Sequence, residues 1–146
     1  MKRLGCELCA GDGGELLWRD DELRVVLIDD ANYPGFVRVI WNEHVAEMSD
    51  LSVAQRGHVM AAVNAVELAQ RDVLAPAKIN LAAFGNMVPH LHWHVIPRFA
   101  DDAHFPQSVW GERQREPAAA ALAARRESLP ALREAMRQRL AELAAD

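Results

Sequence analysis

The segment His90-Leu91-His92-Trp93-His94-Val95-Ile96 places three histidines at alternate positions with apolar residues between them. Side chains on a β-strand repeat every two residues. The pattern is therefore that of a strand in which His90, His92 and His94 leave one face, while Leu91, Trp93 and Val95 leave the other and enter a core. Neighbouring imidazoles on such a face start about 6.5 Å apart, twice the strand rise. That spacing suits two tasks, gripping one metal ion or surrounding one phosphorus atom. A merely solvated face has no need of repeated histidine, because Thr, Lys and Ser serve there equally well. Half of the chain's six histidines fall in these five positions, so function is expected to centre here.

Bulk properties narrow the surroundings of this strand. At 146 residues the chain is one domain by size, and long enough to bury about two-thirds of its unfolded surface. Although 51% of the residues are apolar, no uninterrupted apolar stretch approaches the roughly 20 that cross a bilayer. The basic start, Met1-Lys2-Arg3, is interrupted by Gly5, Cys6 and Glu7 before a signal-peptide core forms. A cytoplasmic protein without membrane contact is the expectation. A net charge of −5 gives no electrostatic reason to bind nucleic acid. A phosphorylated substrate needs local positive groups, which the histidine strand and Arg98 can supply.

Patterning along the chain predicts a compact α+β unit followed by a helical tail. Leu16 to Trp18, Leu23 to Ile28 and Phe36 to Trp41 read as strands, with turn composition from Asp29 to Gly35. Ser49 or Ser52 opens a helix, and Ser52 with Gln55 has capping-box spacing. Val59, Val63, Val66 and Val73 mark one face of that helix, and Pro76 ends it. Lys78 to Phe84 reads as a strand, Gly85-Asn86 as a tight turn, and Leu91 to Phe99 as the histidine strand. Beyond Pro106, an alanine-rich stretch leads to a last helix, Pro130 to Ala145. Its apolar stripe is Leu132, Met136, Leu140 and Leu143, a packing surface rather than a chemical one.

The two cysteines form Cys6-Glu7-Leu8-Cys9. This spacing fits half of a zinc site, a redox pair, or two incidental thiols. A redox pair sits where a strand gives way to a helix, whereas here Gly11 to Gly14 follow and no helix is predicted. Zinc would need two further ligands, and histidines must supply them.

His-x-His-x-His with two apolar residues after it, Gly85-Asn86 before it and Pro97-Arg98 behind it resembles the histidine triad (HIT) superfamily. The resemblance runs from about Cys6 to Trp110 and includes the order of elements. It implies a five-stranded antiparallel sheet with one long helix, residues 1–110 as the catalytic domain, and 111–146 as a helical extension packed on it. It also implies a nucleotide substrate, a symmetric homodimer, and hydrolysis or transfer of nucleoside monophosphate groups from phosphoramidates or dinucleoside polyphosphates. An edge strand and an apolar helix face that need covering agree with a dimer through the Ser52 to Leu74 helix and its adjacent strand.

By the family pattern the middle histidine, His92, attacks the α-phosphorus and forms a covalent nucleotidyl-histidine. Imidazole suits that task, being a good nucleophile when neutral and then a good leaving group. His94 would help protonate the departing group. Asn86 would hydrogen-bond the non-bridging oxygens, unless it serves only as a left-handed turn residue. Asp29, or Asp30 beside it, resembles the family's ribose contact, with a turn-forming Asp pair as the alternative. Bacterial members with an N-terminal Cys-x-x-C imply a structural zinc held by Cys6, Cys9, His44 and His90, leaving the chemical step without a cofactor.

The chain departs from its relatives in two places. Phe36 follows Pro34-Gly35 where many carry a fourth histidine, and Met87 stands where many carry Ser or Thr. Both bear on substrate preference and rate. Trp110 stands where relatives carry an aromatic near the active site, although core packing is the preferred reading, and no partner is evident for His58 or His104. Two other functions compete with the nucleotidyl hydrolase or transferase. One is a metal-dependent hydrolase in which His92 and His94 hold a catalytic ion with Asp101 or Asp102. The other is a nucleotide-binding module with little turnover.

Overall fold

Five short segments pair into one antiparallel sheet, as the sequence predicts. The structure, a computed structural model, describes residues 1–144. The strands are β1 (Glu15–Arg19), β2 (Leu23–Leu27), β3 (Val37–Trp41), β4 (Lys78–Ala82) and β5 (His92–Arg98), in spatial order β1-β2-β3-β5-β4. The helices are α1 (Glu7–Ala10), α2 (Val53–Leu74), α3 (Ala119–Glu127) and α4 (Leu129–Ala144). Both β3 and β4 run antiparallel to β5, hence parallel to each other. The long α2 makes the crossover that such a pair requires.

Local chemistry starts and stops α2 where the sequence places it. Ser52 Oγ accepts from the Gln55 N–H at 3.1 Å, and Gln55 Oε1 accepts from the Ser52 N–H at 2.9 Å. This reciprocal cap satisfies two otherwise orphaned donors and contributes about 1 kcal/mol. At the far end Ala75 takes a left-handed backbone, φ 47°, just before Pro76.

The sheet's two faces have different covers. On one, Val25, Val37, Val39 and Val95 pack with Val59, Val63 and Val66 of α2 and with Leu132, Met136 and Leu140 of α4. Those three α4 side chains are fully buried and Leu143 is partly so, while Ala145, the expected last helical residue, lies outside the described residues. Gly35 holds φ +93° in the β2–β3 connection, where a Cβ would stand 2.7 Å from Leu74 Cδ1. On the opposite face, Leu8 packs on Val26 and Ile40 at one side, and Tyr33 and Phe36 pack on Ile96 at the other.

Three local expectations are corrected. A single helical turn, α1, does form at the cysteine motif, with Cys6 at its N-cap. No tight turn joins β4 to β5; a nine-residue loop, 83–91, spans them, and Gly85 rather than Asn86 takes the left-handed conformation. His90 falls before the regular strand, so its ring is free to leave the row formed by His92 and His94. Among the described residues, no helix is long and apolar enough to cross a membrane.

Candidate active site and metal cluster

Pairing of β3 with β5 sets Arg38 opposite His94 and Ile40 opposite His92. Because Val37, Val39 and Val95 point to the helix side, strand alternation turns Arg38, His92 and His94 to the other face. There they border a cleft of about 410 Å³, closed at its sides by Glu7 and Leu8 of α1, by Phe84 to Val88, and by Ser108 and Trp110.

The tautomer of His92 follows from its partner. Its Nδ1 lies 2.6 Å from the His90 carbonyl oxygen, which can only accept, so Nδ1 carries the proton. Nε2 is left with a free lone pair. Burial lowers the His92 pKa, the hydrogen bond to His90 opposes that, and the nearby Arg38 charge lowers it further. The ring is therefore neutral at pH 7, the state in which imidazole attacks phosphorus.

His94 is held still more firmly neutral. Its pKa is pushed down to about 4, first by burial, then by His92 and Arg38. Its Nδ1 is buried without a partner. Its ring meets His92, Trp110 and Phe36 edge-to-face at centroid distances of 4.9, 5.0 and 5.6 Å. Packing thus orients the ring at the border of the cleft.

A second cluster lies at the start of β5. One ligand atom from each of Cys6, Cys9, His44 and His90 falls within 4.8 Å of the others. Cys9 Sγ is 3.4 Å from His44 Nδ1 and 3.5 Å from His90 Nδ1, and Cys6 Sγ is 3.5 Å from His90 Nδ1. Both thiols are free. His90 Nε2 donates to the Trp41 carbonyl at 2.6 Å, so its Nδ1 lone pair faces the sulfurs. A tetrahedral ion with Zn–S of about 2.3 Å and Zn–N of about 2.0 Å has sulfur–nitrogen edges of about 3.5 Å. The donor set and its spacing fit zinc. His90 belongs to both sites, its ring in the cluster and its carbonyl on His92.

Most of the expected site residues converge. His92, His94 and Asn86 border the cleft, and Cys6, Cys9, His44 and His90 form the cluster. Asp29 does not join them. Sheet pairing ends where the Ile28 N–H meets the Phe36 carbonyl, and the chain turns towards the C-terminal helices. Asp29 and Asp30 accordingly line a separate groove with Arg126 and Arg133. Trp110 is half exposed at the cleft, where the resemblance sets an aromatic, and does not enter the core as preferred from sequence. His58 pairs with Asp20 at 2.6 Å, and His104 meets the Tyr33 hydroxyl.

The carboxylates suggested for a catalytic ion are engaged elsewhere. Asp102 is buried against Arg98, and Asp101 pairs with Arg125. Among the described residues, no metal-binding group includes His92 or His94. Sequence reasoning missed Arg38, Glu7 and Phe84. Arg38 left a trace, a lone charge at the centre of the apolar run Phe36 to Trp41.

A family model described as HIT domain matches residues 14–101. An AP-4-A phosphorylase from Mycobacterium tuberculosis is 29% identical over 86 residues, which are 55% of this chain and 44% of that protein. The chain thus spans less than half the length of the curated relatives it matches. A solved histidine triad protein from Bradyrhizobium japonicum aligns with TM-score 0.70 and 28% identity over 88% of this chain and 92% of its own. A histidine triad family protein from Mycobacterium smegmatis, described as Zn-bound, shares the fold with TM-score 0.60 and 23% identity over 97% of each chain.

Proposed function

The chain belongs to the HIT domain family, and from that membership and the geometry of its cleft we propose that it hydrolyses or transfers nucleotides at the α-phosphate. The substrate class is nucleoside phosphoramidates or dinucleoside polyphosphates. The observation that carries this reading is the 2.6 Å contact between His92 Nδ1 and the His90 carbonyl, which leaves Nε2 unprotonated. The AP-4-A phosphorylase relative supports nucleotide chemistry in general.

His92 Nε2 attacks the α-phosphorus, the bond to the leaving group breaks, and a nucleotidyl-histidine forms. Water then attacks the same phosphorus, and the imidazole leaves with its lone pair restored. His94, neutral at pH 7 in the free cleft, hydrogen-bonds the phosphoryl oxygen or the departing atom, which is oxygen in a polyphosphate and nitrogen in a phosphoramidate and leaves with a proton taken up from the cleft. A bound phosphate's negative charge offsets the burial and the two neighbours that depress its proton affinity. Asn86 in the cleft wall supplies a further donor to the non-bridging oxygens.

In the same reading, Cys6, Cys9, His44 and His90 hold a structural zinc. The ion clips the N-terminal turn to the sheet and takes no part in the chemical step. The protein acts as a homodimer with no nucleic-acid or membrane partner. Much of the apolar face of α2 is already buried against the sheet and α4. Edge strand β4, with Leu81 42% exposed and Phe84 62% exposed nearby, is therefore the more open part of the dimer surface.

The test is incubation of wild type and His92→Asn with adenosine and guanosine phosphoramidates and dinucleoside polyphosphates, with acid-labile phosphohistidine trapped in parallel. Wild type is expected to turn over at least one class and to trap label. His92→Asn is expected to do neither while still binding nucleotide. An active His92→Asn rejects the nucleophile, and nucleotide binding without wild-type turnover makes the protein a binding module.

A further inference from the structure

Four arginines, Arg19, Arg24, Arg38 and Arg98, project from the sheet face that carries the histidines. Three of them have partners within the protein. Arg19 pairs with Asp12 at 2.8 Å. Arg24 donates from Nε to the Asp12 carbonyl at 2.9 Å, and from Nη2 to the Leu8 and Gly11 carbonyls at 2.6 and 3.1 Å. Arg98 grips both Asp102 oxygens at 2.8 and 3.0 Å, and reaches Asn80 and Gln107 as well. Arg38 is different. Its Nε is buried without a partner, and among the described residues it makes no hydrogen bond or ion pair. Glu7 shares its cleft, and its charge favours the Arg38 cation, but the two form no ion pair.

An unpaired, half-buried guanidinium is costly, because it has lost water and gained no acceptor in exchange. A structural role would give it the partners that Arg24 and Arg98 have. A binding role leaves the acceptor to the ligand. The position of Arg38 says which ligand. It sits directly across the sheet from His94, so their Cβ atoms are about 5 Å apart on one face. His94 Nδ1 is the other buried cleft atom without a partner. Both residues line the same cleft as His92, and a guanidinium presents a planar fork matched to two phosphate oxygens.

We propose that Arg38 is the anion-binding residue of the cleft, gripping the non-bridging oxygens of the phosphoryl group that His92 attacks. The proposal rests on the nucleotide reading of the site and names the group that neutralises its substrate. Charge on those oxygens must be accommodated as the phosphorus is attacked, so Arg38 supports both binding and rate.

Calorimetric titration with AMP, GMP, adenosine and guanosine tests this on wild type, Arg38→Gln and Arg38→Lys. Losing a charge-assisted bidentate contact is expected to weaken monophosphate binding about 10- to 100-fold in Arg38→Gln, and less in Arg38→Lys. Nucleoside affinity is expected to stay unchanged, which a merely structural arginine would not produce. Unchanged monophosphate affinity in Arg38→Gln overturns the proposal, as does an equal loss for nucleosides. Should Arg38→Gln fail to fold, Arg38→Lys and the salt dependence of wild-type binding decide: monophosphate affinity must fall with salt more steeply than nucleoside affinity. A wild type that binds monophosphate through Arg38 but turns nothing over sinks the catalytic reading alone. A wild type that binds no monophosphate sinks both.

Discussion

Asp102 anchors the segment that carries Ser108 and Trp110 to the cleft, and replacing it with Asn tests how that wall is held. Its carboxylate accepts from Arg98 Nε and Nη2 at 2.8 and 3.0 Å, and from the backbone N–H groups of Phe99, His104 and Phe105 at 3.0, 3.0 and 2.7 Å. The residue is 0% exposed. Asn keeps the shape but strands the Arg98 charge and turns an N–H₂ group towards donors. Breaking a buried pair in this way costs about 3–5 kcal/mol, a large share of the about 5–15 kcal/mol that holds a domain.

The pH dependence adds a second number. Although burial alone would raise the Asp102 pKa, the hydrogen bonds from Arg98 and the three amides outweigh it and hold the group at about 2 against an ordinary 3.8. That difference is worth about 2 kcal/mol. Since the folded value lies below the unfolded one, the contribution is complete above about pH 5 and drains away as pH falls from about 4 towards 2. About 1 kcal/mol of it is gone by pH 3. Urea unfolding of both proteins at pH 7 and pH 3 measures the difference, in which the other titrating groups cancel. Asn is expected to lose about 3–5 kcal/mol at pH 7, with the gap about 1 kcal/mol narrower at pH 3. A variant within about 1 kcal/mol of wild type at pH 7, or a gap that widens at pH 3, refutes the reasoning.

Metal analysis of protein purified without chelator is expected to find about one zinc per chain. Cys6→Ser with Cys9→Ser should lose it and lower Tm, and metal-free wild type of unchanged Tm removes the clip. Met136→Ala, at a position 0% exposed, should cost about 2–5 kcal/mol in unfolding and leave turnover per folded molecule unchanged, because α4 lies on the face away from the cleft. Altered substrate preference in that variant would instead tie α4 to the site. Light scattering is expected to give a dimer, and a monomer at micromolar concentration would remove the pairing.

Much of this protein follows from short-range pattern. The alternation His92-Trp93-His94-Val95 dictates a strand with two chemically distinct faces, and Ser52 with Gln55 caps the long helix through contacts three residues apart. Such signals survive without tertiary context because each depends on backbone periodicity or one local hydrogen bond. What only the folded chain decides depends on pairing between distant residues. The bend at His90 sends its ring to cysteines more than 80 positions earlier while its carbonyl holds His92. The end of sheet pairing at Ile28 removes Asp29 from the cleft. The loop anchored by Asp102 leads on to Trp110, which meets His94 rather than entering the core. Arg38 is the sharpest case. Its sequence places a charge in an apolar strand, but only the register with β5 puts that charge beside His94, and only three-dimensional packing leaves it without an acceptor.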